Sequence, residues 1–419
     1  MATGNEPRRV KFRNKRTMIP KRIHAITDDD LRTIVSEGMK EGRTLEFKES
    51  LPGRGDSDRK EFLADITSFA NTSGGDIVYG MRGERDADGK TTGAALEFTG
   101  LKGISTDTET LRLKEMVLHG VAPRIVGLDV VEIEGGDEGP AILVRIPDSF
   151  QKPHMVTFKG SSRFYGRTSA GKHQLDVGEI RTAFVQSAKL PEMLRAFVLD
   201  RLTKLLDDAA SISLIDGPIA AVHFVPISAM LGSHKIDPRD IEHPQSLNFA
   251  PFGRDGLERI NLDGYAKYTA TSEADRARIY GQLFRNGAVE FVSSSVHVKN
   301  SGESSDFSAT HLCNDLLTTL IKLRNLYHHL DVDPPYVIFV SLLNIAPCQI
   351  YLPERFRHFI DTVTIKTNQI TFSEQLIDEP IPDDRSLLAN ILRPLFDEMW
   401  QAFGIKQCMD FTQEGEWPS

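Results

Sequence analysis

The chain has 419 residues, enough for two or three domains that each bury a core of their own. Hydrophobic residues make up 40% and charged residues 26%, ordinary values for a soluble protein, and the longest apolar run, Tyr336 to Ala346, is too short to cross a membrane. The formal net charge of −9 argues against a chain that is basic throughout and binds nucleic acid by bulk charge.

The distribution of charge modifies that reading from the first residues onward. Between Met1 and Arg22 stand Arg8, Arg9, Lys11, Arg13, Lys15, Arg16, Lys21 and Arg22 against the single acid Glu6. A basic arm of this kind suits phosphate contacts, and a disordered solubilising tail is the plainer alternative. No apolar stretch follows it, so it is not a secretory signal. Thr27 and Asp30 have the spacing of a capping box ahead of Leu31, Ile34, Val35 and Met39, which predicts a helix leading to Glu41.

From Thr44 to Lys48 the side chains alternate, so Leu45 and Phe47 face one way and Glu46 and Lys48 the other. A Glu and a Lys two apart on one strand face suit a divalent metal and a phosphate side by side. They equally suit a solvated face with a lateral ion pair, and the residues alone leave both open. Glu41 lies at an odd offset from Glu46, on the opposite face of a straight strand, and only a bend at Gly42 would bring the two carboxylates together as hard-oxygen metal ligands.

Asp58 and Glu61 are spaced as a capping box for a helix with Phe62, Leu63, Ile66, Phe69 and Ala70 on one stripe. Asn71 to Ser73 end it, and Gly74 and Gly75 permit the turn into a strand from Asp76 to Met81. Glu84, Asp86 and Asp88 follow, with Asp88-Gly89 as a hairpin turn. Strands are predicted over Thr92 to Phe98, Val126 to Glu134 and Ala141 to Ile146, and a helix over Thr106 to Leu118.

Next, Val156 to Lys159 and Arg163 to Gly166 read as a hairpin carrying Lys152, His154, Lys159, Arg163, Arg167, Lys172 and His173 among Phe158, Phe164 and Tyr165. Basic and aromatic groups so interleaved suit nucleic-acid backbone and bases, or else aromatics in a core and charges in water. Gly166 to Lys172, GRTSAGK, matches a phosphate loop until His173 stands where a Ser or Thr should meet the metal. Asp176 caps a helix to about Ala188, and Pro191 marks a boundary before a second helix, Glu192 to Asp208.

Beyond it come a buried strand (Ile219 to Ile227), an irregular segment (Gly232 to Gly264), a hairpin centred on Asn286-Gly287, a helix (His311 to Leu330), a strand (Tyr336 to Ile345) and a closing helix (Arg385 to Phe403). Cys313, Cys408 and Cys348 are few, odd in number and far apart. They fit a reducing cytoplasm and argue against a disulfide framework and a cysteine zinc site.

The set LEFKES, FANTSGG and IVYGM, continued by Lys152-Pro153-His154 and SSRFYGRTS, resembles the Alba-like domain of Schlafen proteins over about residues 25 to 190. Nuclease members of that family carry two glutamates five apart and an aspartate just after the glycine-turn strand. Glu41 and Glu46 match the first two positions. The third position here is Gly83, so Glu84, with Asp86 behind it, is the substitute.

The expected architecture is α+β: a basic arm (1–24), the Alba-like domain (25–190) with a mixed sheet, and a second α/β domain (191–419). The resemblance implies a cytoplasmic, Mg²⁺- or Mn²⁺-dependent endoribonuclease acting on structured RNA such as tRNA. RNA is favoured over DNA, a homodimer would complete the clamp, and antiviral defence follows by analogy. Glu41, Glu46 and Glu84 would hold metal, Lys48 would face the scissile phosphate, and Arg8, Arg9, Lys152, Arg163, Arg167 and Lys172 would hold backbone. The alternative is a non-enzymatic nucleic-acid-binding regulator gated by ATP or another nucleotide at GRTSAGK.

Overall fold

The computed structural model describes residues 19, 21–85, 91–169, 171–232, 235–241, 249, 251–272, 276–299, 305–353, 356, 359–412 and 414–418. Arg8, Arg9, Asp86 and the Asp88-Gly89 turn lie outside them. The fold is α+β, and the chain divides into two compact units, Met1–Ala188 and Lys189–Ser419.

In the first unit, helix α1 (Asp28–Ser36) begins as its sequence predicts, with the Thr27 N–H donating to Asp30 Oδ2 at 2.9 Å. Strand β1 (Leu45–Lys48), helix α2 (Asp56–Ala70) and strand β2 (Gly75–Tyr79) form a crossover, because β1 and β2 run parallel and need a connection over one sheet face. A hairpin of β3 (Met81–Arg85) and β4 (Thr91–Phe98) follows, then α3 (Thr106–Gly120) and β5 (Val121–Ala122). Strands β6 (Asp129–Ile133) and β7 (Ala141–Ile146) complete a four-stranded mixed sheet in the order β1-β2-β7-β6. A second sheet, β10-β9-β8-β5, takes in β8 (Met155–Val156), β9 (Arg163–Thr168) and β10 (Gly171–Gln174).

The mixed sheet is covered on both faces. Leu45, Phe47, Val78 and Leu143 pack with Leu31 and Ile34 of α1 and with Met81 and Phe98 of the β3–β4 hairpin. Ile77, Tyr79, Ile142 and Val144, on the opposite pleat, pack with Phe62, Leu63, Ile66 and Phe69 of α2 and Leu113 of α3. The face that carries Glu46 and Lys48 therefore lies toward α2 rather than open water.

Two local expectations differ. Helix α2 starts at Asp56 behind an N-cap at Gly55, so Asp58 lies inside the first turn and Glu61 is released to pair elsewhere. The strand predicted as Asp76 to Met81 breaks at Gly80 (φ +91°), where the chain leaves the mixed sheet for the hairpin.

The glycine turn is demanding. Gly74 has φ +64°, and a Cβ there would lie 2.6 Å from the Asp148 nitrogen and 2.7 Å from the Ile146 carbonyl oxygen. Both costs are backbone costs that no rotamer relieves, so Gly74→Ala is expected to destabilise the first unit by roughly 1–3 kcal/mol or more. Circular-dichroism melts compared with the wild type check this; an unchanged melting temperature would contradict it.

Helix α4 (Val177–Leu206) is continuous through Pro191, against the expected break. Proline forfeits one helical hydrogen bond, but Leu190, Leu194, Val198, Leu202 and Leu205 keep a buried stripe on either side of it and sustain the helix.

The second unit is built on a large sheet of order β13-β14-β15-β16-β12-β19-β20, with β11 beside β15 and β21 beside β19. Its strands are β11 (Ser213–Leu214), β12 (Ile219–Pro226), β13 (Leu257–Ile260), β14 (Gly264–Ala270), β15 (Arg276–Phe284) and β16 (Val289–Ser293), then β19 (Tyr336–Leu343), β20 (Gln369–Thr371) and β21 (Gln375–Ile377). Between them come α5 (Ile227–Leu231), a ribbon of β17 (His297–Lys299) and β18 (Ser305–Phe307), and α6 (Ala309–His329); α7 (Arg385–Gln401) follows the last strand. Helices α6 and α7 bury Leu316, Leu320, Leu392 and Phe396 with Val222 and Phe224 of β12. The irregular stretch expected before Gly264 contains β13. That edge strand is exposed at all four residues, so it lacks the in-out alternation that reveals a strand.

Candidate nucleic-acid-processing site

Gly42 makes the bend that the offset of the two glutamates requires. Its N–H donates to the Leu45 carbonyl at 2.9 Å, which closes a tight turn, and the Glu41 carboxylate folds back so that Oε1 accepts the Phe47 N–H at 2.9 Å. Burial pushes the Glu41 carboxyl up, the Phe47 amide opposes that, and the negative charge of Glu46 adds to the rise. The two carboxylates are thus electrostatic neighbours.

Glu46, 8% exposed, is gripped on both oxygens. Lys48 Nζ lies 2.6 Å from Oε1 and Arg167 Nη1 lies 2.5 Å from Oε2. Burial alone would raise this carboxyl, but the charges of Arg167 and Lys48 outweigh it and hold it below the usual range. Lys48 also lies 3.3 Å from Oδ2 of Asp65, a buried residue of α2, and Lys172 lies 2.7 Å from Asp65 Oδ1 and 2.6 Å from Glu61 Oε1. Asp65 is pushed up by burial and by Glu46, while Asp65 and Glu46 together overcome burial to raise Lys48. Glu46, Asp65 and Glu61 meet Lys48, Arg167 and Lys172 in one chain of ion pairs, and the charges of Glu46, Lys48 and Arg167 reach Glu41 beside it.

Asp65 escaped the sequence reading. A lone carboxylate inside the apolar stripe of Phe62, Ile66 and Phe69 was the available signal.

Arg167 does not face outward as expected. It is 7% exposed, its N–H donates to Thr72 Oγ1 at 2.9 Å, its Nε donates to the Gly42 carbonyl at 3.0 Å, and its guanidinium lies 4.2 Å from the Phe69 ring centroid. Asn71 makes a matching tie, donating to the carbonyls of His154 and Tyr165 at 2.9 Å and accepting the His154 N–H at 2.6 Å. The end of α2 is thereby locked to the β8–β9 region, joining motifs more than 80 residues apart.

The remaining expected phosphate contacts divide. Arg163 is exposed. Lys152 lies 2.7 Å from Asp148, and Lys172 is committed to Asp65 and Glu61. The hairpin aromatics turn inward or pair: Phe158 and Tyr165 pack against the α2 core, and Phe164 meets Phe184 edge-on. Lys40 and Arg43, exposed on either side of the Gly42 bend, were not singled out from sequence. The described residues of GRTSAGK pair as antiparallel strands β9 and β10, with Lys172 opposite Arg167, rather than leading from a strand into a helix as a phosphate loop does.

Glu84 is exposed on β3 and accepts from Thr92 Oγ1 at 2.6 Å. It stands near Glu41, whose N–H donates to the Gly93 carbonyl at 2.6 Å, next to Thr92. The three glutamates still do not converge. Among the described residues, the group of three such side chains with ligand atoms within 4.8 Å of one another is Cys313, Cys408 and Asp410. Glu41 and Glu46 carry oxygens of the hard-donor type that a divalent ion takes, but both Glu46 oxygens face cations of the chain, and Glu84 does not join them.

Comparison with known families places residues 41–176 in the family described as Schlafen, AlbA_2. The chain carries a Schlafen AlbA_2 domain. The match spans β1 to β10 and so contains every member of the ion-pair chain. Two solved structures are similar to parts of it. One is the DIP2311 protein from Corynebacterium diphtheriae, with 16% identity and a TM-score of 0.23 over 35% of this chain and 26% of that one. This chain thus spans about a quarter of that protein's length. The other is the N-terminal domain of a Nitrosomonas europaea protein named for its relation to the ATP-dependent DNA helicase RecG. It has 17% identity and a TM-score of 0.26 over 36% of this chain and 94% of that one. No curated protein matches the sequence. Among the described residues, no helix is long and apolar enough to cross a membrane.

Proposed function

We propose that the Schlafen domain binds structured, tRNA-like RNA in the cytoplasm, as a homodimer, and cleaves its backbone with Mg²⁺ or Mn²⁺ held by Glu41 and Glu46. The observation that carries this reading is the Gly42 turn, which folds Glu41 back beside Glu46. A bound divalent ion would supply an oriented water and charge neutralisation at the scissile phosphate. The protein's own groups do the positioning. The Phe47 amide fixes one Glu41 oxygen, and Asp65 keeps a counter-ion on Lys48 when Glu46 turns toward another cation, leaving that ammonium beside the phosphate. Lys40, Arg43 and Arg163, with Arg8 and Arg9 of the arm, would hold backbone, so affinity should fall steeply with salt. Glu84 would join if the β3–β4 hairpin moves toward Glu41 on binding.

One observation favours a second reading, a nucleic-acid-binding regulator without catalysis: both oxygens of Glu46 are already paired with cations of the chain. Incubation with total tRNA and Mn²⁺ or Mg²⁺ separates the two. Glu41→Gln is the cleaner variant, since its amide oxygen can still accept the Phe47 N–H, whereas Glu46→Gln strips the buried Arg167 of its anion. Wild-type cleavage that falls about 100-fold in Glu41→Gln is the expected result, the size of effect seen when one preorganised charge partner is lost. RNA binding with no cleavage by the wild type would sink the enzyme reading and leave the regulator.

A further inference from the structure

The three cysteines look unrelated in sequence, yet two of them meet. Cys313 Sγ in the second turn of α6, Cys408 Sγ in the segment after α7 and a carboxylate oxygen of Asp410 lie within 4.8 Å of one another. The thiols are 0% and 1% exposed. Free buried cysteines ordinarily behave as small hydrophobes, and that is the reading this cluster must beat. A packing core does not require a carboxylate, yet here the Cys408 thiol donates to Asp410 Oδ2 at 3.7 Å and three metal-ligating groups converge on one point.

The surroundings are those of an oriented ligand set. Thr310 Oγ1 donates to Asp410 Oδ1 at 2.8 Å, fixing that carboxylate and leaving Oδ2 on the side of the Cys408 sulfur, 3.7 Å away. The Cys408 N–H donates to Asp397 Oδ1 at 2.8 Å, which holds the loop in place. Outer hydrogen bonds of this kind are what orient metal ligands.

We propose that Cys313, Cys408 and Asp410 form a structural site for a thiophilic divalent ion, zinc by the chemistry of its donors. Two sulfurs and one carboxylate oxygen fill three corners of a tetrahedron, at about 2.3 and 2.0–2.2 Å from the ion after a small contraction. The cluster supplies three donors, and a water would take the fourth corner. The ion would tie the segment after α7, which packs Phe411 and Trp417 on that helix, to α6. Binding releases the thiol protons to solvent and involves no change of oxidation state.

The test uses the full chain, reduced and stripped by chelator, then titrated with Co²⁺ as the spectroscopic probe. The expected result is a sulfur-to-cobalt charge-transfer band with tetrahedral visible bands that saturates at one equivalent and is displaced by Zn²⁺, together with a raised melting temperature. Asp410→Asn and Cys408→Ser should weaken binding at least about ten-fold, and Cys348→Ser should leave it unchanged. Should a variant fail to fold, the wild-type titration decides alone. No charge-transfer band, or an as-isolated mass short of two hydrogens from a Cys313–Cys408 disulfide, would overturn the proposal.

Discussion

Arg201→Ala is expected to destabilise the second unit by about 3–5 kcal/mol, because it leaves a charge buried without its partner. Arg201 of α4 is 3% exposed and meets the fully buried Glu290 of β16 through two hydrogen bonds of 3.0 Å. Glu290 also accepts from Tyr280 Oη at 2.7 Å and lies 3.0 Å from His223 Nε2. An ionised carboxylate only accepts, so that imidazole nitrogen carries the proton. Both tryptophans, Trp400 and Trp417, belong to this unit, so urea unfolding followed by tryptophan fluorescence reports it without interference from the first. A loss under 1 kcal/mol would show that water or a rearranged side chain reaches Glu290.

The same cluster sets a pH window. Burial alone would raise the Glu290 carboxyl, but the hydrogen bonds and charges of His223 and Arg201 overcome it and hold it at about 2, against an ordinary 4.5. A carboxyl depressed by folding contributes stability that is present above its unfolded value and lost as pH falls through the folded one. The contribution, on the order of 3 kcal/mol, is therefore complete above about pH 4.5 and fades toward pH 2. The stability gap between wild type and Glu290→Gln should narrow over that interval in the same fluorescence assay. A gap independent of pH would contradict the assignment.

The second large effect is expected at Asp65, where one buried carboxylate serves two lysines. Asp65→Ala leaves Lys48 with Glu46 alone and Lys172 with the exposed Glu61 alone, and opens space beneath α2. The lysine side chains are 33% and 18% exposed, so water recovers part of the loss. The cost should be about 2 kcal/mol, less than for a fully buried pair. Hydrogen exchange of peptides from β1, α2 and β2 would show it as faster opening of the first unit alone. Under the proposed function, RNA cleavage should also drop, roughly 10- to 100-fold, because Lys48 loses the partner that holds it in place. Unchanged exchange together with unchanged cleavage would remove Asp65 from both roles.

Local pattern was enough for much of the first unit. Alternation in Leu45 to Lys48, the Thr27 and Asp30 cap, the apolar stripe of α2 and the glycines after it predict the strand, helix, turn and second strand that form, because each rests on neighbours a few residues apart. The offset of Glu41 from Glu46 even named the bend at Gly42. Tertiary structure alone decided where the charges go. Arg167 reads as a surface arginine on a basic hairpin, yet it enters the core because Glu46, Thr72, the Gly42 carbonyl and the Phe69 ring, all distant in sequence, satisfy it there. Asp65 is silent for the same reason, since its two lysines come from β1 and β10. Cys313 and Cys408 meet only because α6 and the segment after α7 pack on one sheet. Secondary structure follows short-range periodicity, whereas the partner of a buried charge or thiol is chosen by burial, which no local window contains.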